Sequence, residues 1–159
     1  MSLKLNLPKW IFLSSAKHFT DGLTGHDVYV EGTVRNLTDR SDWIEIRIDG
    51  PTIKETSHDC LIVESEINIL VATQKNTAGF LRHMVTVGKV ANIFEDFWIC
   101  KYGEDSSEDD ESRLEVFRLK PLDDNSDKIA IANMGQIDPA LNLLQTSIEG
   151  HYKMIVNKE

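Results

Sequence analysis

The sharpest pattern in the chain is the alternation in DWIEIRIDGP, residues 42–51. Ile44, Ile46 and Ile48 fall on one side, and Trp43, Glu45 and Arg47 on the other. Period-two alternation predicts a strand in a sheet with one wet face. Asp49-Gly50-Pro51 reads as the turn that ends it, since Asp-Gly supplies positive φ and proline cannot continue a ladder. Residues 60–72 form a longer strand. Leu61, Val63, Ile67, Ile69 and Val71 share a face interrupted only by Ser65, and Glu64, Glu66 and Asn68 share the opposite face. The two segments are expected to pair as a hairpin. Near the C-terminal end, Ile148, Gly150, Tyr152, Met154 and Val156 alternate with Glu149, His151 and Lys153. DVYVEGTVRN (27–36), FWICKYG (97–103), RLEVFRLKP (113–121) and KIAIANMGQI (128–137) supply further strands. Gly32 in the first of these suggests a bulge or a close backbone contact.

Two segments follow a helical period instead. Residues 7–23 carry Phe12, Ala16, Phe19 and Leu23 at helical spacing, with Asn6 as a cap, Pro8 in the first turn and Gly22 as a stop. Residues 76–98 carry Phe80, Met84, Val87, Ala91, Phe94 and Trp98 as an apolar stripe, capped by Asn76 or Thr77. Gly88 either permits close packing on a sheet or splits this helix. Neither an internal repeat nor a linker is evident. The expectation is one α+β domain over residues 1–159. Its sheet is mostly antiparallel or mixed, and an N-terminal helix and a longer central helix pack on one side.

Composition narrows the class. The chain has 159 residues, 41% hydrophobic and 27% charged, with mean hydropathy −0.27. A domain of this size buries enough surface to need no staple. No apolar run approaches the roughly 20 residues of a membrane-spanning helix, and neither a signal peptide nor a membrane partner is expected. The net charge of −9 argues against nonspecific DNA binding by counterion release. Cys60 and Cys100 lie far apart and outside any CxxC pattern; two reduced thiols are the default, with a disulfide between them as the alternative. Residues 104–113 concentrate Glu104, Asp105, Glu108, Asp109, Asp110 and Glu111. Like charges at this density predict a mobile acidic loop. The run lacks the spacing and glycine of a calcium-binding loop.

The candidate chemistry is sparse. His58-Asp59-Cys60 superficially matches a thiol nucleophile with its base. Neighbouring strand residues point to opposite faces, however, and the carboxylates downstream would raise the thiol pKa. Glu64 and Glu66 would stand about 7 Å apart on one strand face, a separation that glycosidases also use, but nothing in the sequence builds a cleft around them. The five histidines lack metal-ligand spacing, and phosphate-loop, dinucleotide-binding, nucleophile-elbow and zinc-protease motifs are missing. No catalytic residue, cofactor-binding residue, metal ligand or cofactor is expected, and the chain does not read as an enzyme.

WIEIRIDGP (43–51), VESEINILV (63–71), a helix with FLRH (80–83), IANMGQIDP (131–139) and QTSIEGHYKM (145–154) follow one another along the chain. In this order and spacing they resemble small neck or tail-terminator proteins of tailed bacteriophages, over most of the chain from Trp43 onward. The resemblance implies an α+β subunit that forms a hexameric ring at the head-tail junction of the virion after synthesis in the host cytoplasm. Its implied partners are copies of itself, a tail tube protein and a head connector protein, and DNA passes through the ring without specific binding. The family has no catalytic residues to carry over. Under this reading the outward polar positions Glu45, Arg47, Glu64, Glu66, Asn68, Glu149, His151 and Lys153 are candidates for a subunit interface or a channel lining. Three alternatives stand beside it: another neck or tail-tube component, a cellular module that recruits a partner through an exposed sheet edge, and an enzyme built on Cys60, Glu64 or Glu66.

Overall fold

The computed structural model describes residues 3–31, 42–56, 58–74, 79–103, 108–121, 128–135 and 143–158. Helix α1 (Leu3–Gly22) leads to strands β1 (Val28–Val30), β2 (Asp42–Glu55) and β3 (Cys60–Gln74). Helix α2 (Gly79–Asn92) follows, then β4 (Phe97–Tyr102), β5 (Glu108–Lys120), β6 (Ile129–Gly135) and β7 (Leu143–Asn157). The fold is α+β. The strands form one seven-stranded mixed sheet in the order β1-β2-β3-β7-β5-β4, with β6 also paired to β7. Among the described residues, β1–β2 is the parallel pairing and the other ladders are antiparallel.

The expected alternation sets the two faces. On β3, Leu61, Val63, Ser65, Ile67, Ile69 and Val71 are buried. On β7, Ile148, Gly150, Tyr152, Met154 and Val156 are buried on the same side. Both helices cover this side. α1 buries Leu7, Trp10, Ile11 and Phe19, and α2 buries Val87 and Val90, in one hydrophobic cluster with Ile44 and Ile46 of β2. Full burial of each such side chain stabilises the fold by roughly 1.5–3 kcal/mol. Ser65, the polar interruption, donates its hydroxyl to the Asp49 carbonyl and so meets its hydrogen-bonding need.

An aromatic cluster fills the middle of the core. Phe97 stands edge-on to Phe117 at 5.9 Å and to Tyr152 at 5.1 Å, and Phe19 lies 5.0 Å from Phe94. The Tyr152 hydroxyl donates to the Glu95 carbonyl at 3.1 Å. Burial, reinforced by the Asp96 and Glu95 carboxylates, pushes that phenol far above its ordinary pKa. Gly150 lies beneath this cluster. A Cβ there would stand 2.6 Å from Phe94 Cδ1 and 3.0 Å from Leu119 Cδ1, so the residue must be small for the loop after α2 to seat on β7.

Several expectations are corrected. α1 begins at Leu3, which places Pro8 inside the helix rather than in its first turn. Its buried face runs through Leu7, Trp10, Ile11 and Phe19, while Phe12 is 41% exposed. The central helix is the shorter of the two, 14 residues against 20. It stops at Asn92, because Phe94 turns back into the core and Phe97 and Trp98 belong to β4. Asp49-Gly50-Pro51 does not end β2. Gly50 at φ 100 and a cis Gly50–Pro51 bond form an irregularity, after which the ladder to β3 resumes from Thr52 to Glu55. The expected acidic loop over 104–113 is in part strand. β5 starts at Glu108 and carries Glu108, Asp109, Asp110 and Glu111, with Glu108 opposite Tyr102. Glu104 and Asp105 lie outside the described residues, as do the helix caps Asn76 and Thr77 and the positions of Gly32 and Val34.

Candidate functional site

The middle of the sheet face away from the helices is polar, and the register of β2, β3 and β7 assembles it; at one end Trp43, expected on the wet side, is instead buried with Ala72 and Leu143 in a small apolar cluster of its own. Glu64 lies opposite Lys153, Glu66 opposite His151, and Asn68 opposite Glu149. On the other side of β3, Asn68 faces Arg47 and Glu66 faces Asp49. Lys120 of β5 is the neighbour of His151, and Arg118 the neighbour of Lys153. The eight outward residues picked out from the alternation therefore form one surface. Glu45 stands at its margin, opposite Leu70, and is bound to Arg47 at 3.0 Å.

Acids and bases interleave on this surface. Lys120 Nζ pairs with Glu64 at 3.2 Å, and Asn68 Oδ1 accepts from the Ser147 hydroxyl at 2.6 Å. His151 Nε2 lies 2.6 Å from Glu149 Oε1 and 3.8 Å from Glu66 Oε2. Burial raises the Glu66 carboxyl above its ordinary range. The nearby Glu149 and Asp49 charges add to that rise, while His151 opposes it. A shallow cleft of about 230 Å³ adjoins the trio, between Asp49, Thr52, Glu64, Lys120 and His151.

The second notable surface was misread in the sequence. Phe80 and Met84, expected in the core stripe, point outward. Phe80 and Leu81 are each 68% exposed and Val85 51%, with Met84 beside them. Gly88 continues the strip one turn on, and a Cβ there would meet nothing within 4 Å. The face of α2 that packs on the sheet is Gly79, His83, Val87 and Val90. The available signal was that α2 is apolar around more than one stripe, with adjacent apolar pairs at 80–81 and 84–85 beside Val87 and Val90.

His83 is the buried polar residue of α2. Its Nδ1 lies 2.8 Å from Thr73 Oγ1 and its Nε2 2.7 Å from Thr146 Oγ1. Thr146 spends its own proton on Asn133 Oδ1 at 2.8 Å. Nε2 must therefore carry the imidazole proton, and Nδ1 accepts from Thr73. Burial lowers the His83 pKa, opposed by the Asp42 charge, so the ring is neutral at pH 7. Asp42 itself holds Arg82 through two contacts, 2.7 and 3.2 Å, at the entrance to this region. The ring thus ties α2 to both β3 and β7.

The sequence candidates around Cys60 do not assemble. The Cys60 thiol lies 3.4 Å from both the His58 carbonyl and Asn157 Oδ1, neither of which is a base that could activate it. Asp59 takes a positive φ of 56°, which turns the chain into β3. Cys60 and Cys100 are not joined by a disulfide. Glu64 is engaged with Lys120 and Glu66 faces His151, and both glutamates line the same cleft. Among the described residues, no helix is long and apolar enough to cross a membrane. Compared with known proteins, the chain matches no family model and no curated protein.

Proposed function

We propose that this chain is a structural virion protein that closes a ring at the head-tail junction of a tailed bacteriophage. It ends the tail tube, joins it to the head connector and leaves a passage for DNA. The observation that carries association is the apolar face of α2, Phe80, Leu81, Met84 and Val85, which is exposed among the described residues. Exposed apolar side chains adjacent on one helix of a chain of net charge −9 support a contact surface there. In a closed ring each subunit presents this helix to a different face of its neighbour, as heterologous contacts require. The outer sheet face suits a passage or a subunit contact, because its interleaved acids and bases give phosphate no continuous cationic track.

Native mass spectrometry and negative-stain electron microscopy at high protein concentration test the reading. Closed rings of six that cap one end of isolated tail tubes are expected. A strict monomer that ignores tail tubes refutes it, and open polymeric tubes would instead make the chain a tube subunit. A second reading, a module that recruits a partner by strand addition, draws on one observation. The β5–β7 ladder runs only from Lys120–His151 to Arg118–Lys153. Beyond it the strands part around a cleft of about 470 Å³ lined by Val116, Leu119, Met154 and Ile155. Capture of an extended peptide by the monomer, with protection of the β7 amides from exchange, would favour that reading.

A further inference from the structure

We propose that Glu66, Glu149 and His151 form a binding site for one divalent transition-metal ion of the zinc class on the outer face of the sheet. The proposal stands apart from the ring reading and does not require it. One donor atom from each of the three side chains falls within 4.8 Å of the other two. Around a tetrahedral ion with bonds of about 2.1 Å, donors stand about 3.4 Å apart. The His151 Nε2–Glu149 Oε1 distance of 2.6 Å must open slightly, and the Nε2–Glu66 Oε2 distance of 3.8 Å must close slightly. Small side-chain torsions achieve both, because the backbone is already set. Glu66 and His151 are direct cross-strand partners in a ladder that runs from Cys60–Asn157 to Gln74–Leu143, and Glu149 is two residues from His151 on the same face.

The charge balance points the same way. Two carboxylates converge on one imidazole, with Asp49 as the cross-strand neighbour of Glu66. The nearest cation in the register, Lys120, is drawn to Glu64 instead. A divalent ion would neutralise the pair. One imidazole nitrogen with two carboxylate oxygens selects zinc-class ions over magnesium or calcium, which prefer all-oxygen shells. Three protein ligands leave a coordination position open, and the cleft that Glu66 and His151 line has room for the water or partner carboxylate that would complete the shell.

Isothermal titration of metal-stripped full-length protein with Zn²⁺, Mg²⁺ and Ca²⁺ tests the site, alongside Co²⁺ absorption. The expected result is one saturable Zn²⁺ site per chain, a Co²⁺ spectrum without thiolate charge transfer, and no competition by excess Mg²⁺. His151→Ala and Glu66→Gln should each weaken Zn²⁺ binding about tenfold or more, since even loss of an outer-shell partner costs about 10–100-fold. Cys60→Ser should leave it unchanged. All three ligands lie on the outer face, and circular dichroism verifies that each variant is folded. Absence of saturable binding overturns the proposal. So does Zn²⁺ binding that survives His151→Ala or disappears with Cys60→Ser.

Discussion

Replacing Gly150 by alanine tests how tightly the loop after α2 is seated on β7. The added methyl would lie 2.6 Å from Phe94 Cδ1, 2.8 Å from Phe94 Cε1 and 3.0 Å from Leu119 Cδ1. Carbon atoms favour about 3.5–4.0 Å, so the Phe94 ring must retreat by about 1 Å. Behind it stands Phe19, with ring centroids 5.0 Å apart, and Phe94 itself is 7% exposed. The ring therefore has little room to yield. Overpacking of this kind costs about 1–3 kcal/mol. Gly150 does not adopt positive φ, so alanine recovers about 0.4–1 kcal/mol by restricting the unfolded chain. The net expectation is a loss of about 1–2 kcal/mol, or about 2–8 °C in Tm for a chain of this length. Urea unfolding followed by circular dichroism should show a lower midpoint at unchanged m. Because the clash needs the Phe94 ring, Phe94→Ala should largely abolish the extra cost, giving a coupling of about 1 kcal/mol or more in a double-mutant cycle. A neutral or stabilising Gly150→Ala, or strict additivity with Phe94→Ala, would refute the steric reasoning.

Three further expectations follow from the same geometry. The folded His83 pKa is lowered from 6.5 by burial, so below that value the unfolded chain binds more protons than the folded one. Stability carried by neutral His83 should be complete above pH 6.5 and fall as pH drops through the lowered value. His83→Gln should flatten that part of the urea-midpoint profile between pH 7.5 and 5, and an unchanged slope would contradict the assignment. Ser14 Oγ accepts the Cys100 N–H at 2.9 Å and joins α1 to β4. Ser14→Ala removes that acceptor and should cost about 1–3 kcal/mol in chemical denaturation. Leu81→Glu, on the exposed strip of α2, should leave the melting temperature of the isolated subunit nearly unchanged while abolishing higher-order species in sedimentation velocity. Intact assemblies in the variant would show that the contact lies elsewhere.

Local periodicity determined much of this protein. A two-residue period fixes which side of a strand each residue takes, whatever the strand's partners. That is why Leu61 to Val71 and Ile148 to Val156 were legible as buried faces, and Glu64, Glu66, Asn68, Glu149, His151 and Lys153 as outward ones. The α+β class and the β2–β3 hairpin followed from the same signal. The tertiary structure alone decided register and neighbours, because both depend on the packing of segments distant in sequence. Only the β3–β7 ladder sets Glu66 across from His151 and draws Glu149 to the same imidazole. The helices were less legible, since a helix with two apolar stripes does not announce which one the sheet will cover. Phe80, Met84 and Val87 looked like core; the sheet took Val87 as expected but His83 in place of the other two, where Thr73 and Thr146 satisfy the ring. The acidic segment after Tyr102 shows the same limit, for its charge predicted a loop while β5 begins at Glu108, opposite Tyr102 of β4.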